Sequence, residues 1–158
     1  MTFSIDRARP EDLDAVSRLA AALMQLHHRL DPARFMVGAG VEDGYRRFLG
    51  GLLQDAATVV LVAHVDQQVA GYVYARLEPR DWNLYLEACG HVHDLFVAAE
   101  YRRQGIARAL LKRALDELYG KGAPRVVLST AFHNEEAQRL FASLGFRSTM
   151  LEMARERD

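Results

Sequence analysis

The sequence contains few of the residues that mark several large classes of protein. Its single cysteine, Cys89, excludes an internal disulfide framework and is the cysteine usage expected in a reducing cytoplasm. Only Lys112 and Lys121 are lysines among 20 basic residues, and the formal net charge is −1. A chain without net positive charge is not expected to bind nucleic acid or an anionic membrane through bulk electrostatics. We therefore predict a cytoplasmic protein with no nucleic-acid partner.

The chain also lacks long apolar runs, repeats and linkers. No segment approaches the ~20 consecutive apolar residues that a membrane span requires, and the first residues do not have the pattern of a signal peptide. No low-complexity tract or Pro/Gly/Ser-rich stretch divides the sequence. With 158 residues, half of them hydrophobic, the chain is predicted to form a single domain over residues 1–158, with no membrane partner.

What is present is a regular succession of strand and helix patterns. Apolar alternation or short apolar runs predict strands, and apolar residues three and four positions apart predict helices. Predicted strands cover residues 3–7, 58–65, 69–77, 91–97, 126–129 and 146–153, and predicted helices cover 10–30, 41–53, 105–119 and 134–144. A short polar turn makes the second and third strands an antiparallel hairpin. The order predicts an α/β (α+β) domain in which helices pack on a mixed sheet.

The most informative segment joins the fourth strand to the third helix. A buried strand is followed by a short polar loop, and the helix opens with Gly105 and Ala107. Free N–H groups and the dipole at a helix N-terminus favour an anion, and small residues let a pyrophosphate approach the backbone. Arg102, Arg103 and Arg108 add positive charge. A plain strand–loop–helix connection is the alternative, because cationic residues in a first turn destabilise a helix.

Two blocks in this part of the chain resemble a known family. The pattern Arg102-x-x-Gly105-x-Ala107 after a buried strand resembles the acyl-CoA signature of the GNAT superfamily of N-acyltransferases. The run Asn-Glu-Glu-Ala-Gln-Arg-Leu-Phe-Ala-Ser-Leu-Gly-Phe at residues 134–146 is similar to the family's second block, Asn-x-x-Ala…Leu-Tyr-x-x-x-Gly-Phe. The resemblance is specific over residues 94–146. A finer likeness to polyamine and aminoglycoside N-acetyltransferases is shared by many unassigned members.

The resemblance implies both a fold and an activity. The fold is a mixed, mostly antiparallel sheet with splayed central strands and with helices on both faces. The activity is that of a transferase, an acetyl-CoA-dependent N-acetyltransferase (acyltransferase) in which a neutral amine attacks the acetyl carbonyl directly. The expected acceptor is a primary amine of a small molecule or a peptide.

Acetyl-CoA is expected to lie between the two splayed strands. The resemblance implies that the backbone of Leu95, Phe96 and Val97 pairs with the pantetheine arm, and that the N–H of Val97 faces the thioester carbonyl, where a donor stabilises the developing oxyanion. Backbone N–H groups of the following loop and helix would hold the pyrophosphate. The implied residues from Arg102 onwards are Arg102, Arg103, Gln104, Gly105, Ile106, Ala107, Arg108, Asn134, Ala137 and Phe141. Asn134 is also the residue type of a helix N-cap, and the two roles can coexist.

The acceptor amine arrives as an ammonium, so a group must take its proton. General bases work best with a pKa near the operating pH, which histidine has without perturbation. His91 and His93 alternate with their neighbours, so we expect both on one face of the strand and Asp94 on the opposite face. His93 stands where polyamine acetyltransferases carry a glutamate and is the first candidate for base or water relay, followed by Asp94 and His91. A buried, satisfied histidine and a structural carboxylate are the alternatives.

One position departs from the family pattern. Phe141 stands where the family usually has a tyrosine that protonates the departing thiolate. A CoA thiol with a pKa near that of free cysteine, ~8.5, can leave unaided near neutral pH, and Tyr101 or a water can substitute. The missing hydroxyl makes a non-catalytic acyl-CoA-binding or acyl-CoA-sensing domain the alternative function.

The candidate acceptor-binding residues lie mostly near the end of the first helix and in the loop after it, which cover the substrate side in this family. They are His27, His28, Arg34, Phe35 and, on the third strand, Tyr72. For the two histidines the alternative is one inward and one solvated side chain. Tyr72 is equally explained by packing against a helix.

Two further expectations concern metal and assembly. A zinc site would have to use Cys89, His91 and His93, which occupy alternate positions on one strand. These positions span ~13 Å, which is too far for the three side chains to reach one ion. We therefore predict no metal. Domains of this kind often dimerise through their sheets. We predict a homodimer, with residues 146–153 as a candidate edge strand.

Overall fold

The computed structural model describes residues 2–158 and contains one five-stranded sheet. The strands, in the spatial order β1-β2-β3-β4-β5, are β1 Ser4–Arg7, β2 Thr58–Val65, β3 Gln68–Glu78, β4 Cys89–Val97 and β5 Val126–Leu128. The α-helices are α1 Leu13–Leu30, α2 Val41–Leu52, α3 Ile106–Gly120 and α4 Glu135–Ser143, and single 3-10 turns at Pro10–Asp12 and Ala99–Tyr101 stand before α1 and α3. The first four strands are antiparallel, and β5 runs parallel to β4. The predicted mixed, mostly antiparallel sheet is confirmed.

Helices cover both faces of the sheet, as predicted. On one face, α3 packs against Leu61, Val73 and Val92, with the apolar side chains of α4 at the margin. On the other face, α1 and α2 pack against side chains that include Val60 and Tyr72. This double cover explains why β2 reads as an almost continuous apolar run rather than as an alternation.

β4 and β5 pair only where they begin. The parallel register joins Gly90, His91 and Val92 of β4 to the three residues of β5 and ends there. Among the described residues, the later part of β4, from Asp94 to Val97, pairs with β3 alone. One edge of β4 therefore presents backbone groups to no other strand, and the predicted splaying of the central strands is confirmed.

A bulge interrupts β4 at the place where the splaying begins. The register passes from Tyr74↔Asp94 to Ala75↔Val92, which leaves His93 as an extra residue opposite β3. A bulge breaks the strict alternation of side chains between the two faces. His93 and Asp94 consequently both face α1 and α2. The prediction that Asp94 lies on the opposite face from His93 is wrong, because it assumed a regular strand.

The sixth predicted strand is also wrong. Residues 146–153 form neither strand nor helix, and residues 147–158 are exposed throughout. The chain leaves α4 through Gly145, and the amide of Phe146 donates to the carbonyl of Phe141. An ion pair between Arg34 and Glu152 connects the exposed segment to the loop after α1. Local strand propensity does not form a strand when no backbone partner is beside it.

Gly71 allows β3 and β4 to approach closely where β4 ends. A Cβ at this position would lie 2.8 Å from the backbone oxygen of Phe96 and 2.9 Å from Cγ2 of Val97. Because the backbone cannot rotate aside, Gly71→Ala is expected to lower the free energy of unfolding by about 1–3 kcal/mol in urea denaturation.

Gly44 in α2 provides the matched control. A Cβ there would meet no atom within 4 Å among residues 2–158. Replacing an unstrained helical glycine by alanine stabilises a protein by roughly 0.5–1 kcal/mol, so Gly44→Ala should raise the free energy of unfolding. A Gly71→Ala variant as stable as the parent protein would contradict the close approach of the two strands.

Candidate active site

A row of aromatic rings crosses the sheet face that α1 and α2 cover. In order it contains Tyr45 and Phe48 of α2, Tyr74 of β3, and His93 and His91 of β4. The successive ring centroids are 6.2, 5.7, 5.0 and 4.3 Å apart. The two imidazoles are stacked with an angle of only 8° between their planes. The prediction that His91 and His93 share one face of the strand is confirmed, and we call these five rings the aromatic row.

Asp94 lies against the aromatic row with its carboxylate held by two tyrosines. Tyr45 and Tyr72 donate their hydroxyl protons to the same oxygen, Oδ2, at 2.8 and 3.0 Å. Burial raises the pKa of the Asp94 carboxyl, although these hydrogen bonds and the nearby charges of His93 and His27 favour its ionised form. Burial, followed by the charge of Asp94, also raises the pKa of both tyrosines. The phenols therefore stay protonated, and the carboxyl is a largely desolvated proton acceptor.

His93 is hydrogen-bonded and still partly exposed. Its Nε2 lies 2.9 Å from Oε1 of Glu78, and about a third of its side chain, 31%, is accessible. The second oxygen of Glu78 is 3.5 Å from Arg76, which in turn donates to Asp55 at 2.9 Å. The imidazole is thus fixed from one side and accessible to a bound molecule.

His91 differs from His93 in its electrostatic environment. Burial lowers the pKa of His91, and the neighbouring His93 lowers it further, whereas Glu78 acts in the opposite direction. His91 is therefore neutral at neutral pH, and the stacked pair carries at most one positive charge there.

The connection from β4 to α3 forms a cradle of backbone amides, residues 102–108. Arg103 and Gly105 adopt left-handed conformations, with φ of 61° and 81°. Within the described chain the amides of residues 103–108 donate to no acceptor, and the amide of Ala109 is the first to bond back, to the carbonyl of Gly105. A Cβ on Gly105 would meet nothing within 4 Å in residues 2–158. Unpaired N–H groups at the positive end of a helix are a site for an anion such as a pyrophosphate.

Two of the predicted cradle arginines contact other parts of the protein. Arg102 donates to the carbonyl of Val97 at 3.0 Å, and its guanidinium lies 5.2 Å from the centre of the Phe96 ring. Arg108 donates to the hydroxyl of Ser143 at 2.6 Å and so joins α3 to α4. The Val97 carbonyl is therefore satisfied within the protein. Gln104, between the two arginines, has a buried side-chain oxygen with no partner among the described residues.

The second sequence block begins with a helix cap. The side-chain oxygen of Asn134 accepts from the amide of Ala137 at 3.2 Å, which caps α4. Phe141 is half-buried and packs edge-on against Phe146, with their ring centres 6.0 Å apart. Tyr101, the predicted substitute acid, donates its hydroxyl proton to Gln68 at 3.3 Å, near the turn between β2 and β3.

The candidate acceptor residues after α1 form one cluster. His27 Nδ1 pairs with the carbonyl of Leu23 at 2.9 Å and its ring packs edge-on against Phe35, while His28 Nδ1 pairs with the Phe35 carbonyl at 2.7 Å. The Arg34 guanidinium lies over the Phe35 ring, 4.9 Å from its centre. Both histidines are half-buried and hydrogen-bonded, so neither is simply solvated.

Tyr72, the fifth candidate for acceptor binding, differs from these four because it is fully buried. Its hydroxyl reaches the site only through the hydrogen bond to Asp94. Tyr72 therefore holds the carboxylate of Asp94 and presents no surface to an acceptor.

Comparison with known proteins identifies the family. Residues 20–146 match the model of the acetyltransferase (GNAT) family. The chain belongs to this family. The resemblance found in the two sequence blocks is thereby confirmed.

Individual relatives agree with this assignment. An N-alpha-acetyltransferase of Sulfurisphaera tokodaii is 36% identical over 102 residues, and the match spans 60% of this chain and 60% of that protein. An uncharacterized N-acetyltransferase of Archaeoglobus fulgidus is 30% identical over 147 residues, or 92% of this chain and 93% of that protein. The crystal structure of a predicted acetyltransferase of Clostridium acetobutylicum, solved with acetyl-CoA, has a TM-score of 0.75 at 14% identity, and the match covers 97% of this chain and 96% of that one. The last comparison shows the shared fold.

Sequence reasoning missed two residues of this GNAT site. Tyr45 lies in a helix whose pattern is weak, and nothing local connects it to Asp94, 49 positions away. The predicted third strand ends at residue 77, whereas Glu78 is the last residue of β3 in the structure. The alternation Tyr74-x-Arg76-x-Glu78 was the available signal, because side chains two residues apart share a face.

Other chemistry receives no support from the described residues. No three His, Cys, Asp or Glu side chains in residues 2–158 are grouped to hold a metal ion, and the absence of a metal remains a prediction. Burial raises the pKa of the Cys89 thiol, which disfavours a thiolate nucleophile. No α-helix in the described range has the length and apolar character to cross a membrane. An open cleft of about 1120 Å³ beside His64 and the turn between β2 and β3 contains none of the site residues.

Replacing Asp94 by asparagine tests the burial of its charge. Because the pKa of Asp94 is raised in the folded protein, folding favours the protonated acid, and ionisation above that pKa opposes folding. Asp94→Asn keeps an oxygen that can accept from the tyrosines but carries no charge. At mildly alkaline pH we expect the variant to have the higher free energy of unfolding in urea titrations.

The stability difference between Asp94→Asn and the parent protein should depend on pH. It should shrink as the pH falls through the raised pKa of Asp94 and become constant below the ordinary value of 3.8, where folded and unfolded carboxyls are both protonated. A difference that is independent of pH, or one that grows on acidification, would contradict a desolvated carboxylate.

Proposed function

We propose that this chain transfers the acetyl group of acetyl-CoA to a primary amine by direct attack of the neutral amine on the thioester. One observation carries the proposal: β4 has an open edge, leads into a cradle of unpaired amides, and carries His93 and Asp94 on the face that α1 and α2 cover. The open strand edge, the anion site and the two candidate proton acceptors therefore lie next to one another along one stretch of the chain.

The open edge and the cradle fit the two ends of the cosubstrate. Unpaired backbone groups along β4 suit the amides of a pantetheine arm, and residues 95–97 are the proposed partners. The amides of residues 103–108 suit a pyrophosphate, with Arg103 adding charge. Asn134, Ala137 and Phe141 are proposed to border the arm from α4. The bound cosubstrate supplies an acetyl thioester whose carbonyl carbon is the electrophile.

The acceptor is proposed to bind between the aromatic row and the loop after α1. Aromatic faces and the carboxylate of Asp94 attract an ammonium group. His27, His28, Arg34 and Phe35 border the same side. The name of the Sulfurisphaera relative, an N-alpha-acetyltransferase, supports the α-amine of a peptide as the first acceptor to test.

His93 is the proposed proton acceptor. It is the exposed member of the stacked pair, whereas His91 is held neutral by burial, as the lowered pKa of His91 indicates. Asp94, fixed by two tyrosines, orients the acceptor or a water molecule beside it. Phe141 offers no proton to the departing thiolate, so the thiolate takes its proton from solvent.

A non-catalytic acyl-CoA sensor is the second candidate. Phe141 removes the usual acid, and the hydroxyl of Tyr101 is bonded to Gln68 rather than aimed at the splayed strands.

The deciding experiment measures thiol release from acetyl-CoA with polyamines, aminoglycosides, amino acids and peptides with free α- or ε-amines. Turnover with one class above the uncatalysed rate supports the enzyme. Tight acetyl-CoA binding without turnover, relieved by Phe141→Tyr, supports the sensor.

We also propose a single cytoplasmic domain that forms a homodimer. Supporting observations are the buried, unpaired thiol of Cys89 and the exposed apolar side chains of Met150, Leu151 and Met153 in a segment that no strand of the described chain covers. Light scattering should give twice the mass of the chain, and a monomeric mass would refute the dimer.

Gly105→Glu should abolish acetyl-CoA binding in calorimetry, because a carboxylate in the cradle repels the pyrophosphate. Gly122→Glu is the matched control. Both glycines have positive φ, 81° and 92°, and neither Cβ would meet an atom within 4 Å in residues 2–158. The backbone strain of the two variants is therefore similar, but Gly122 lies beyond the C-terminus of α3. Equal affinities for the two variants would place the cosubstrate elsewhere.

His93→Ala should lower kcat about 100-fold or more with the best acceptor, because a positioned general base typically contributes at least that factor. Its affinity for acetyl-CoA should be unchanged, since no cradle residue is altered. An undiminished kcat would exclude His93 as the base and leave Asp94 as the candidate.

A further inference from the structure

The proposed function gives no role to Glu78, the hydrogen-bond partner of the proposed proton acceptor His93. Glu78 ends β3, and its side chain turns back along the sheet so that Oε1 meets Nε2 of His93 at 2.9 Å. Both side chains are about 30% exposed. The pair therefore stands at the border between the covered face of the sheet and the space where an acceptor enters.

The hydrogen bond decides which ring nitrogen of His93 carries the proton. A carboxylate can only accept, so Nε2 must be the N–H donor. In neutral imidazole the other nitrogen, Nδ1, then holds the lone pair. Without Glu78 both tautomers would be accessible, and part of the protein would present the wrong nitrogen.

The ring is also fixed in its plane. Tyr74 stacks on one side at 5.0 Å and 22°, and His91 stacks on the other at 4.3 Å and 8°. A ring held between two others keeps its orientation while its edge atoms remain available. The orientation of His93 thus depends on the stack, and its tautomer depends on Glu78.

Glu78 is itself held by charged neighbours. Its Oε2 lies 3.5 Å from Arg76, and Arg76 is anchored by Asp55. Three other titratable side chains are direct neighbours of His93: those of His91, Asp94 and Tyr74. Two more, Tyr45 of α2 and His27 of α1, act on it through Asp94. Glu78 is the carboxylate that contacts the imidazole directly in the described chain.

We infer that Glu78 is a positioning residue: it holds the proton on Nε2 of His93, presents Nδ1 to the acceptor ammonium and stabilises the imidazolium that forms. The inference rests on the proposed function. The ammonium gives one proton to Nδ1 and becomes the neutral amine. The amine nitrogen then bonds to the acetyl carbon, the carbon–sulfur bond breaks, and CoA leaves as the thiolate. The proton that the attacking nitrogen loses neutralises the thiolate through solvent, and His93 returns its own proton to solvent.

Nitrogen-15 NMR of the imidazole rings tests the positioning without any turnover. The shifts of Nδ1 and Nε2 distinguish the tautomers, and His93→Ala assigns the signal. We expect the parent protein to hold His93 as the Nε2–H tautomer, Glu78→Ala to give a mixture, and Glu78→Gln, whose amide oxygen can still accept, to resemble the parent protein. Glu87→Ala is the control, because Glu87 pairs with Arg80 in the loop between β3 and β4. An unchanged tautomer in Glu78→Ala would overturn the inference.

Kinetics with the best acceptor supply the second arm. Because a catalytic histidine loses activity when the carboxylate that holds its tautomer is removed, Glu78→Ala should lower kcat by about tenfold or more while KM for acetyl-CoA is unchanged. Added to His93→Ala, the Glu78→Ala change should cause no further loss, because the two residues act as one unit. An equal loss in both backgrounds would overturn the inference and show that Glu78 contacts the acceptor itself. Absence of turnover in the parent protein would refute the proposed function alone, since the NMR arm still decides the role of Glu78.

Discussion

The bulge in β4 is the feature on which the rest of the site depends. One extra residue, His93, is accommodated opposite β3 where pairing with β5 ends, between Val92 and Asp94. The bulge brings His93 and Asp94 to the same face, so that an imidazole and a carboxyl meet the aromatic row together. A regular strand would direct one of them into the apolar core beneath α3. Beyond the bulge the far edge of β4 is open, because β5 pairs only with residues 90–92, and this open edge lies beside the proton acceptors.

The two faces of the sheet divide stability from chemistry. The face under α3 is an apolar core of aliphatic side chains, which holds β2, β3 and β4 together. The face under α1 and α2 combines aliphatic packing with a buried carboxyl, two stacked imidazoles and tyrosines whose hydroxyls are committed to Asp94. Placing charge in this environment opposes folding, as the raised pKa of Asp94 indicates. The core on the opposite face offsets that unfavourable term.

Local sequence signals predicted the parts of the molecule that depend on neighbouring residues. The elements from β1 to α4, the cradle around Gly105 and the cap at Asn134 all follow from propensity, spacing and the chemistry of helix ends. The misses involve contacts between distant segments. Neither the register of β4 against β3, which moved Asp94, nor the bond from Tyr45 to Asp94 has a local signature. Residues 146–153 show the converse: strand propensity was present, but the folded chain gives the segment no partner strand.

Amide NMR spectra recorded during titration with acetyl-CoA test the central claim, that the cosubstrate uses the open edge of β4 and the cradle of α3. The account predicts that the amide signals of residues 93–97 and 103–108 shift together and saturate at one concentration. The signals of β1 and of the cleft beside His64 should stay in place. Shifts confined to that cleft, with residues 93–108 unaffected, would contradict the account.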